Sequence, residues 1–235
     1  MKHILLAIIA KNAESYLNRY LSNIYALDYP KKDITLYVRA NNCTDQTIPM
    51  LDEWIGSCGD EYRKVLTDFS DVPEQVQRFG NHDWNPERFA VLGRIRQDAM
   101  EATLKVGADF YFCVDVDNYI TPNTLKELVK LDLPIVGPLL RPCKKYDNFV
   151  YQNIYAYSPI WYLLNEGSLR GVVQVQIVHC TYLVRADCIP LLSYLPDGTG
   201  DYEFLVFGKS SEKAGILHYV DSRMDYGCLE TPWAT

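Results

Sequence analysis

Short apolar runs alternate with amphipathic segments through the first half of the chain. Residues 3–10 and 34–39 are largely apolar without alternation, which predicts strands buried on both faces of a mainly parallel sheet. Residues 64–69 predict a third, shorter strand. The segments between these runs carry apolar residues at helical spacing, namely Leu17, Tyr20, Leu21 and Ile24 in the first helix and Ile48, Leu51, Trp54 and Ile55 in the second.

A polar segment and a long helix come next. Residues 70–86 carry Pro, Gly and Asn and predict a long loop, of a length that often covers a functional site. Residues 86–106 predict a helix that ends at Gly107. Its expected inward side chains are Phe89, Leu92, Ile95, Ala99 and Ala102.

Two carboxylates follow the longest apolar run, residues 108–114, which predicts a central strand. Asp115 and Asp117 would lie at the carboxyl end of that strand, where open α/β sheets bind their ligands. In extended backbone both side chains share a face and can hold one hard divalent cation through oxygen. Such a cation can bridge two phosphates of a nucleotide. The alternative is that the pair only caps a turn or the next helix.

The second half has a different pattern. Thr121 and Pro122 are expected to cap and begin a helix, and Asp201 and Glu203 stand at the head of a final one. An aromatic-rich stretch, residues 146–164, contains Trp161 and several tyrosines that could pack in the core or contact a sugar or another flat, polar ligand. The remaining predicted elements are strands at residues 135–140, 172–184 and 216–220 and the final helix at residues 203–214.

The composition narrows the class of protein. With 235 residues, one α/β domain is expected. The change from alternating β–α units to an antiparallel, aromatic-rich part indicates a nucleotide-binding half at about residues 1–120 and an acceptor half at about residues 121–235. The net charge of -7 argues against an extended nucleic-acid footprint. The seven Cys are scattered without metal-like spacing, which favours a reduced, cytoplasmic protein. Residues 4–10 are too short to span a membrane, so no signal peptide or transmembrane segment is predicted.

The order of these elements resembles the GT-A class of nucleotide-sugar glycosyltransferases, whose first half ends in an Asp-x-Asp motif. Residues 41–47, NNCTDQT, are similar to the second-strand signature of the large inverting GT-A family. A narrower resemblance runs from Ile4 to about Leu229. It is to the N-terminal glycosyltransferase domain of the procollagen galactosyltransferases, and it is carried by LLAIIAKNAESYL, DWNPERFAVLGRIRQDAM, ADFYFCVDVDNYITPNTL, IVGPLLRP, YDNFV, VQIVHCTYLV and LHYVDSRMDYGCL.

The resemblance implies a UDP-sugar donor, UDP-galactose or UDP-glucose, and a glycan or protein hydroxyl as acceptor. It implies Mn²⁺ or Mg²⁺ as cofactor, held by Asp115 and Asp117, with His218 as a third ligand. Arg96 is expected near the diphosphate, with surface salt-bridging as its alternative. The residues implied to bind the nucleotide sugar are Ala10, Lys11, Asn12, Asn41, Asp45, Arg96 and Asp115. For Asn12 and Asp45 helix capping is an alternative, with Thr44 as the other candidate cap of the second helix.

Inverting sugar transfer needs a base that takes the proton of the acceptor hydroxyl. Glu203, and then Asp201, are the candidates implied by the resemblance, although helix N-termini also attract acidic residues. His179 is predicted to be a core histidine. A retaining transferase and a catalytically silent binding domain remain alternatives. A sugar nucleotidyltransferase is disfavoured, because no Gly-rich, Arg-containing loop follows the first strand.

Overall fold

The computed structural model describes residues 1–74, 76–78, 83–142, 149–150 and 159–230. The helices are α1 Glu14–Tyr25, α2 Thr47–Cys58, α3 Pro86–Lys105, α4 Thr124–Leu131, α5 Pro159–Asn165 and α6 Glu203–Ala214. The strands are β1 Ile4–Ala10, β2 Ile34–Ala40, β3 Lys64–Asp68, β4 Phe110–Val114, β5 Asn118–Ile120, β6 Ile135–Pro138, β7 Arg141–Pro142, β8 Phe149–Val150, β9 Val172–Val175, β10 Ile177–Val178, β11 Thr181–Arg185, β12 His218–Asp221 and β13 Gly227–Leu229.

A mixed sheet forms the centre of the described structure, with strand order β3-β2-β1-β4-β11-β6-β12-β9. Strands β3, β2, β1 and β4 are parallel, whereas β11 runs antiparallel to both of its neighbours, β4 and β6. Two small sheets, β5-β13-β7 and β10-β8, lie beside it. The α/β fold class, with a mostly parallel sheet and a smaller antiparallel part, is confirmed.

Helices cover both faces of this sheet, which explains the continuous apolar strands. Alternate residues of β4 belong to different cores: Phe110 and Phe112 pack on the face that α1, α2 and α4 cover, and Tyr111 and Cys113 pack on the other. All five β4 side chains are therefore buried. No helix in the described part of the chain is long and apolar enough to cross a membrane.

Several predicted boundaries are confirmed, most closely those of helix α6, which spans the predicted residues 203–214 and ends at Gly215 in a left-handed conformation. In helix α1 the buried side chains are the predicted four. The apolar segment 172–184 is divided into β9, β10 and β11, with a positive φ of 64° at Cys180. Residues 146–148 and 151–158 of the aromatic-rich stretch lie outside the described residues, as do Gln75 and residues 79–82 of the predicted loop.

The predicted start of helix α4 is wrong by two residues. The helix begins at Thr124 rather than at Pro122, and Asn123 takes the cap position. The backbone of the preceding residues is used elsewhere: the N–H of Thr121 donates to the carbonyl of Tyr226 at 3.0 Å, and the carbonyl of Pro122 accepts from Asp28 at 2.8 Å. These contacts hold the segment in position beside β13 and delay the first helical turn.

Candidate active site

A cavity of about 1230 Å³ opens at the carboxyl ends of β1 and β4 and is bordered by α3 and α6. This is the edge of the sheet where α/β folds place their ligands. The structure brings nearly all predicted site residues to this one cavity, and the predicted residues that line it are Ala10, Lys11, Asn12, Asn41, Arg96, Asp115, Asp117, Asp201, Glu203 and His218. Asp45 is the predicted site residue that does not line it.

The Asp-x-Asp segment lies in a tight turn. The N–H of Asn118 donates to the carbonyl of Asp115 at 2.9 Å, so residues 115–118 reverse direction between β4 and β5. The expectation of extended backbone at this segment is therefore wrong. The turn is anchored on two sides, because the N–H of Asp115 donates to the carbonyl of Cys180 and the N–H of Glu230 donates to the carbonyl of Asp117, both at 2.9 Å.

Arg96 of helix α3 joins the two sides of the cavity. Its Nη2 donates to both carboxylate oxygens of Asp115, at 2.8 and 3.0 Å, and its Nη1 donates to Cys113 Sγ at 2.7 Å. Its Nε lies 3.6 Å from Glu203 Oε1. The Arg96 side chain is only 5% exposed, so it forms a buried ion pair and is not a surface salt bridge. The guanidinium thus contacts Asp115, a carboxylate of the predicted donor site, and Glu203, one of the two candidate catalytic bases.

The carboxyl group of Asp117 lies in an unfavourable electrostatic environment. Burial, reinforced by the negative charge of Asp115, raises the pKa of Asp117 to about 7. Close to this pair, the side-chain Oδ1 of Asn118 is buried and has no hydrogen-bond partner among the described residues. Asn118 was not predicted as a site residue, although it directly follows the Asp-x-Asp motif.

These oxygen atoms fit a hard divalent cation, since Mg²⁺ and Mn²⁺ prefer carboxylate and amide oxygen ligands. A cation would also compensate the charge that raises the pKa of Asp117. Within the described ranges, no group of three or more His, Cys, Asp or Glu is arranged to hold a metal ion. The residues present therefore offer the carboxylates of Asp115 and Asp117, with the unpartnered amide oxygen of Asn118 beside them.

His218 is not arranged as the predicted third metal ligand. Its Nδ1 accepts the N–H of Val178 at 3.2 Å, and its Nε2 lies 2.7 Å from Ser211 Oγ. Ser211 donates its own hydroxyl proton to the carbonyl of Gly208, so the ring is a neutral imidazole that donates from Nε2. Burial lowers the pKa of His218 to about 3. Both ring nitrogens are occupied in this core network, which leaves neither for a metal.

His179 lies in the cavity wall. Its ring stacks on Phe204 with 4.6 Å between centroids, and burial lowers its pKa to about 3. His179 is buried, as predicted for a core histidine, but it also borders the cavity.

The loops after β1 and β2 are held together by reciprocal side-chain bonds. Asn12, at a positive φ of 48°, accepts the N–H of Thr44 at 2.8 Å through its Oδ1. Asp45 accepts from the N–H of Thr47 at 3.0 Å and from that of Glu14 at 3.1 Å. Although burial acts in the opposite direction, these hydrogen bonds lower the pKa of Asp45. Asp45 thus stabilises the N-terminal turns of both α1 and α2, while the residue at the α2 cap position is Gln46.

Lys11, directly after β1, is the clearest candidate contact for a ligand on this side. Its Nζ is buried and lacks a hydrogen-bond partner within the part of the chain that the structure describes. Burial and then the positive charge of Arg88 lower its pKa. An amine in this position would gain a partner from an anionic or carbonyl-bearing ligand in the cavity.

Asp201 and Glu203 differ sharply in environment. Asp201 is partly exposed and accepts from Lys209 Nζ at 2.6 Å, and this hydrogen bond lowers its pKa. Glu203, the first residue of α6, is buried, and burial raises its pKa against the opposing charge of Arg96.

Comparison with solved structures identifies the fold. The chain is similar to TarS 1-349 of S. aureus in complex with UDP-GlcNAc, with TM-score 0.63 and 14% identity, covering 99% of this chain and 60% of that one. It is also similar to the mannosyltransferase PcManGT from Pyrobaculum calidifontis in complex with GDP-Man and Mn²⁺, with TM-score 0.62 and 14% identity, covering 99% and 58%. At these identities the likeness concerns the fold, and that fold is GT-A.

The chain belongs to glycosyltransferase family 25, whose N-terminal domain matches residues 1–235. It is 32% identical over 241 residues to the probable inactive glycosyltransferase 25 family member 3 of Bos taurus, covering 97% of this chain and 40% of that protein. It is 30% identical to procollagen galactosyltransferase 2 of Homo sapiens, covering 97% and 38%. The chain spans about two fifths of the length of the curated relatives it matches. The predicted family resemblance is confirmed.

Proposed function

We propose that this domain transfers a hexose from a UDP-sugar to a hydroxyl group of a glycan or a protein, with divalent metal and with inversion at the anomeric carbon. The observation that carries the proposal is the position of Arg96 between two carboxylates in one cavity. Its guanidinium lies 2.8 Å from Asp115 and 3.6 Å from Glu203. The donor site at Asp115 and the candidate acceptor base Glu203 would therefore both contact the guanidinium of Arg96.

The donor is proposed to bind at the ends of β1, β2 and β4. Ala10, Lys11, Asn12 and Asn41 border the nucleoside side of the cavity, and the buried amine of Lys11 supplies a hydrogen-bond donor. Asp115 and Asp117 would hold Mn²⁺ or Mg²⁺. When bound, that ion would neutralise the charge that develops on the departing diphosphate.

Glu203 is proposed to act as the base. Its carboxylate takes the proton of the acceptor hydroxyl while the acceptor oxygen forms a bond to the anomeric carbon. The bond between that carbon and the diphosphate oxygen breaks, and its electron pair leaves with UDP. The raised pKa of Glu203 makes its carboxylate a stronger base than an exposed glutamate. Asp201 is the second candidate, but its ion pair with Lys209 makes it a weaker base.

A catalytically silent nucleotide-sugar or glycan-binding domain is the second candidate function. It is favoured by two observations: relatives named as inactive are among those most similar to the chain, and Arg96 already engages both carboxylate oxygens of Asp115. This alternative requires binding of the donor without transfer.

The first experiment measures thermal unfolding with a panel of UDP-sugars, with and without Mn²⁺, for the wild type and for Asp117→Asn. A ligand at a hundred times its Kd adds about 2.7 kcal/mol to the free energy of unfolding, which is readily detected. The proposal expects one UDP-sugar to stabilise the wild type in the presence of Mn²⁺ and to lose that effect in Asp117→Asn. The absence of any shift would exclude the donor site.

A second experiment separates catalysis from silent binding. Transfer is measured with the donor identified by unfolding, for the wild type, Glu203→Gln and Asp201→Asn. Loss of a base is expected to lower kcat by about 10²–10⁴-fold in Glu203→Gln, with donor binding retained, and much less in Asp201→Asn. Donor binding without transfer in the wild type would favour the silent domain. The anomeric proton of the product, observed by NMR, distinguishes inversion from retention.

A further inference from the structure

Two large aromatic side chains are exposed inside the cavity. Trp84, which precedes α3, and Tyr202, which precedes α6, are each 44% exposed, and both line the cavity. The ring of Phe89 lies beneath them, with centroids 6.1 Å from Trp84 and 4.2 Å from Tyr202. Phe89 is itself buried, so the two exposed rings rest on a fixed support. Leaving so much aromatic surface in water forgoes burial free energy, which suggests a ligand as the missing contact.

The row of rings continues towards the proposed base. Phe204 lies 5.4 Å from Tyr202 and stacks on His179, and both residues border the cavity. We call Trp84, Tyr202, Phe204 and His179 the aromatic wall. Glu203 stands in sequence between two of its members, so a ligand on the wall would present its groups beside that carboxylate.

We propose that the aromatic wall is an acceptor subsite that binds a pyranoside ring, so that the acceptor is a carbohydrate. This inference rests on the proposed function and specifies its acceptor. The C–H face of a sugar ring is apolar and carries partial positive charge, which suits the negative face of an aromatic ring. Sugar hydroxyls require polar partners, and Asp201 and Lys209, which also line the cavity, supply an acceptor and a donor beside Tyr202.

The charges beside the wall favour a neutral acceptor over a basic peptide. The guanidinium of Arg88 lies over the ring of Trp84, 4.5 Å from its centroid, and Lys209 stands beside Asp201. A cationic side chain entering here would have to compete with Lys209 for Asp201 and with Arg96 for Glu203 in a partly desolvated cavity. An uncharged sugar carries no such cost, and its hydroxyls can bond to either charged group.

The test uses direct binding, so that it does not depend on turnover. Methyl β-galactoside, methyl β-glucoside and their disaccharides are titrated into the full chain with UDP and Mn²⁺, and binding is followed by calorimetry and tryptophan fluorescence. The variants are Trp84→Ala and Tyr202→Ala. The control is Tyr25→Ala, because Tyr25 of α1 is 42% exposed but does not line the cavity.

At least one glycoside is expected to bind the wild type and the control equally and to lose tenfold or more in affinity in both wall variants. The thermal shift with UDP and Mn²⁺ is expected to be unchanged in all four proteins. A lysine-rich peptide that carries serine hydroxyls is titrated in the same way. The inference is overturned if no glycoside binds the wild type, if this peptide binds instead, or if the wall variants keep their affinity. Loss of the UDP shift in Trp84→Ala would also overturn it, because the ring would then belong to the donor site. Glycoside binding without transfer would contradict the proposed function alone.

Discussion

Among single residues of the site, Arg96 is the cation that contacts both the donor-site carboxylate and the candidate base. Its guanidinium pairs with Asp115 and lies near Glu203, and these two carboxylates come from opposite halves of the chain. Breaking a buried ion pair by removing one partner leaves an uncompensated charge and costs about 3–5 kcal/mol. We therefore expect Arg96→Gln to lower the free energy of unfolding by that amount in urea and to lower transfer activity more than donor binding.

Arg94 on the same helix offers a matched control. It pairs with Glu74 and its side chain is 42% exposed, so Arg94→Gln is expected to change stability by less than about 1 kcal/mol. Equal destabilisation by the two substitutions would show that the helix, and not the buried pair, is responsible.

Asp117 predicts a pH dependence of stability with a definite sign. Its pKa of about 7 in the folded protein lies above that of an unfolded aspartate, so the native state holds a proton that the unfolded chain has released. The free energy of unfolding should consequently fall as pH rises from about 4 to about 7, with a slope of at most about 1.4 kcal/mol per pH unit. In metal-free buffer, Asp117→Asn is expected to remove this contribution, as measured by urea unfolding across that range.

Metal is expected to reverse the same trend, because a cation at the proposed site would bind the deprotonated carboxylates and compete with the proton. Stabilisation of the wild type by Mn²⁺ should therefore increase from pH 5 to pH 8. Asp52→Asn, on the exposed side of α2, controls for the loss of one negative charge. A wild type and an Asp117→Asn variant with parallel pH profiles would contradict the assignment.

At the scale of elements, the contact between α3 and the loop before α6 depends on a glycine. A Cβ at Gly93 would lie 2.5 Å from the carbonyl oxygen of Tyr194 and 3.5 Å from Glu203 Cβ. Gly93→Ala should therefore force α3 away from this loop, lower the free energy of unfolding by about 1–3 kcal/mol, and displace Arg96 one turn later on the helix. Urea unfolding and transfer activity measure the two effects.

Gly56 in α2 provides the opposite case. No atom lies within 4 Å of a Cβ built there, and the residue is exposed. Gly56→Ala is expected to stabilise the protein by about 1 kcal/mol, because alanine restricts the unfolded chain and favours helix. If both substitutions stabilised the protein, the close approach of α3 to Tyr194 would be disproved.

Elements with a strong local signal were predicted well, and those set by distant contacts were not. The spacing of apolar residues fixes α1, and a glycine in left-handed conformation fixes the end of α6. The start of α4 depends instead on Tyr226, a residue about a hundred positions later, and no local pattern reports that contact. The predicted site residues show the same difference between features set by local sequence and features set by distant contacts.

Motif and resemblance brought Asp115, Asp117 and Glu203 forward because each stands beside a recognisable strand end or helix head. The side chains that these carboxylates contact in the folded protein could not be predicted from motif or resemblance. The place of Arg96 near a diphosphate stays a prediction, and its burial against carboxylates from both halves is visible only in the folded structure. Trp84 lies within a stretch that carries the family resemblance, and Tyr202 stands between the two candidate bases, yet nothing in the sequence distinguishes an exposed cavity aromatic from a core one.

At the scale of the whole molecule, the two predicted halves share one sheet. Strand β4 of the first half pairs with β1 on one side and, over five residues, with β11 of the second half on the other. A fragment ending near residue 120 would leave β4 with an open, fully apolar edge. The halves are therefore expected to differ in chemistry without being separable in folding.

This topology predicts a single unfolding transition that ligand shifts as a unit. Because β11 lies between β4 and β6, losing either half of the sheet exposes buried strands of the other, and partial unfolding is costly. Calorimetry and far-UV circular dichroism should give coincident transitions. UDP with Mn²⁺ should raise the temperature of the whole transition, although its proposed site lies beside β1 and β4. A fragment of residues 1–120 should show no cooperative transition under the same conditions. Two resolved transitions in the full chain, with only the earlier or the later one responding to UDP, would mean that the halves fold independently and that the β4–β11 pairing contributes little stability.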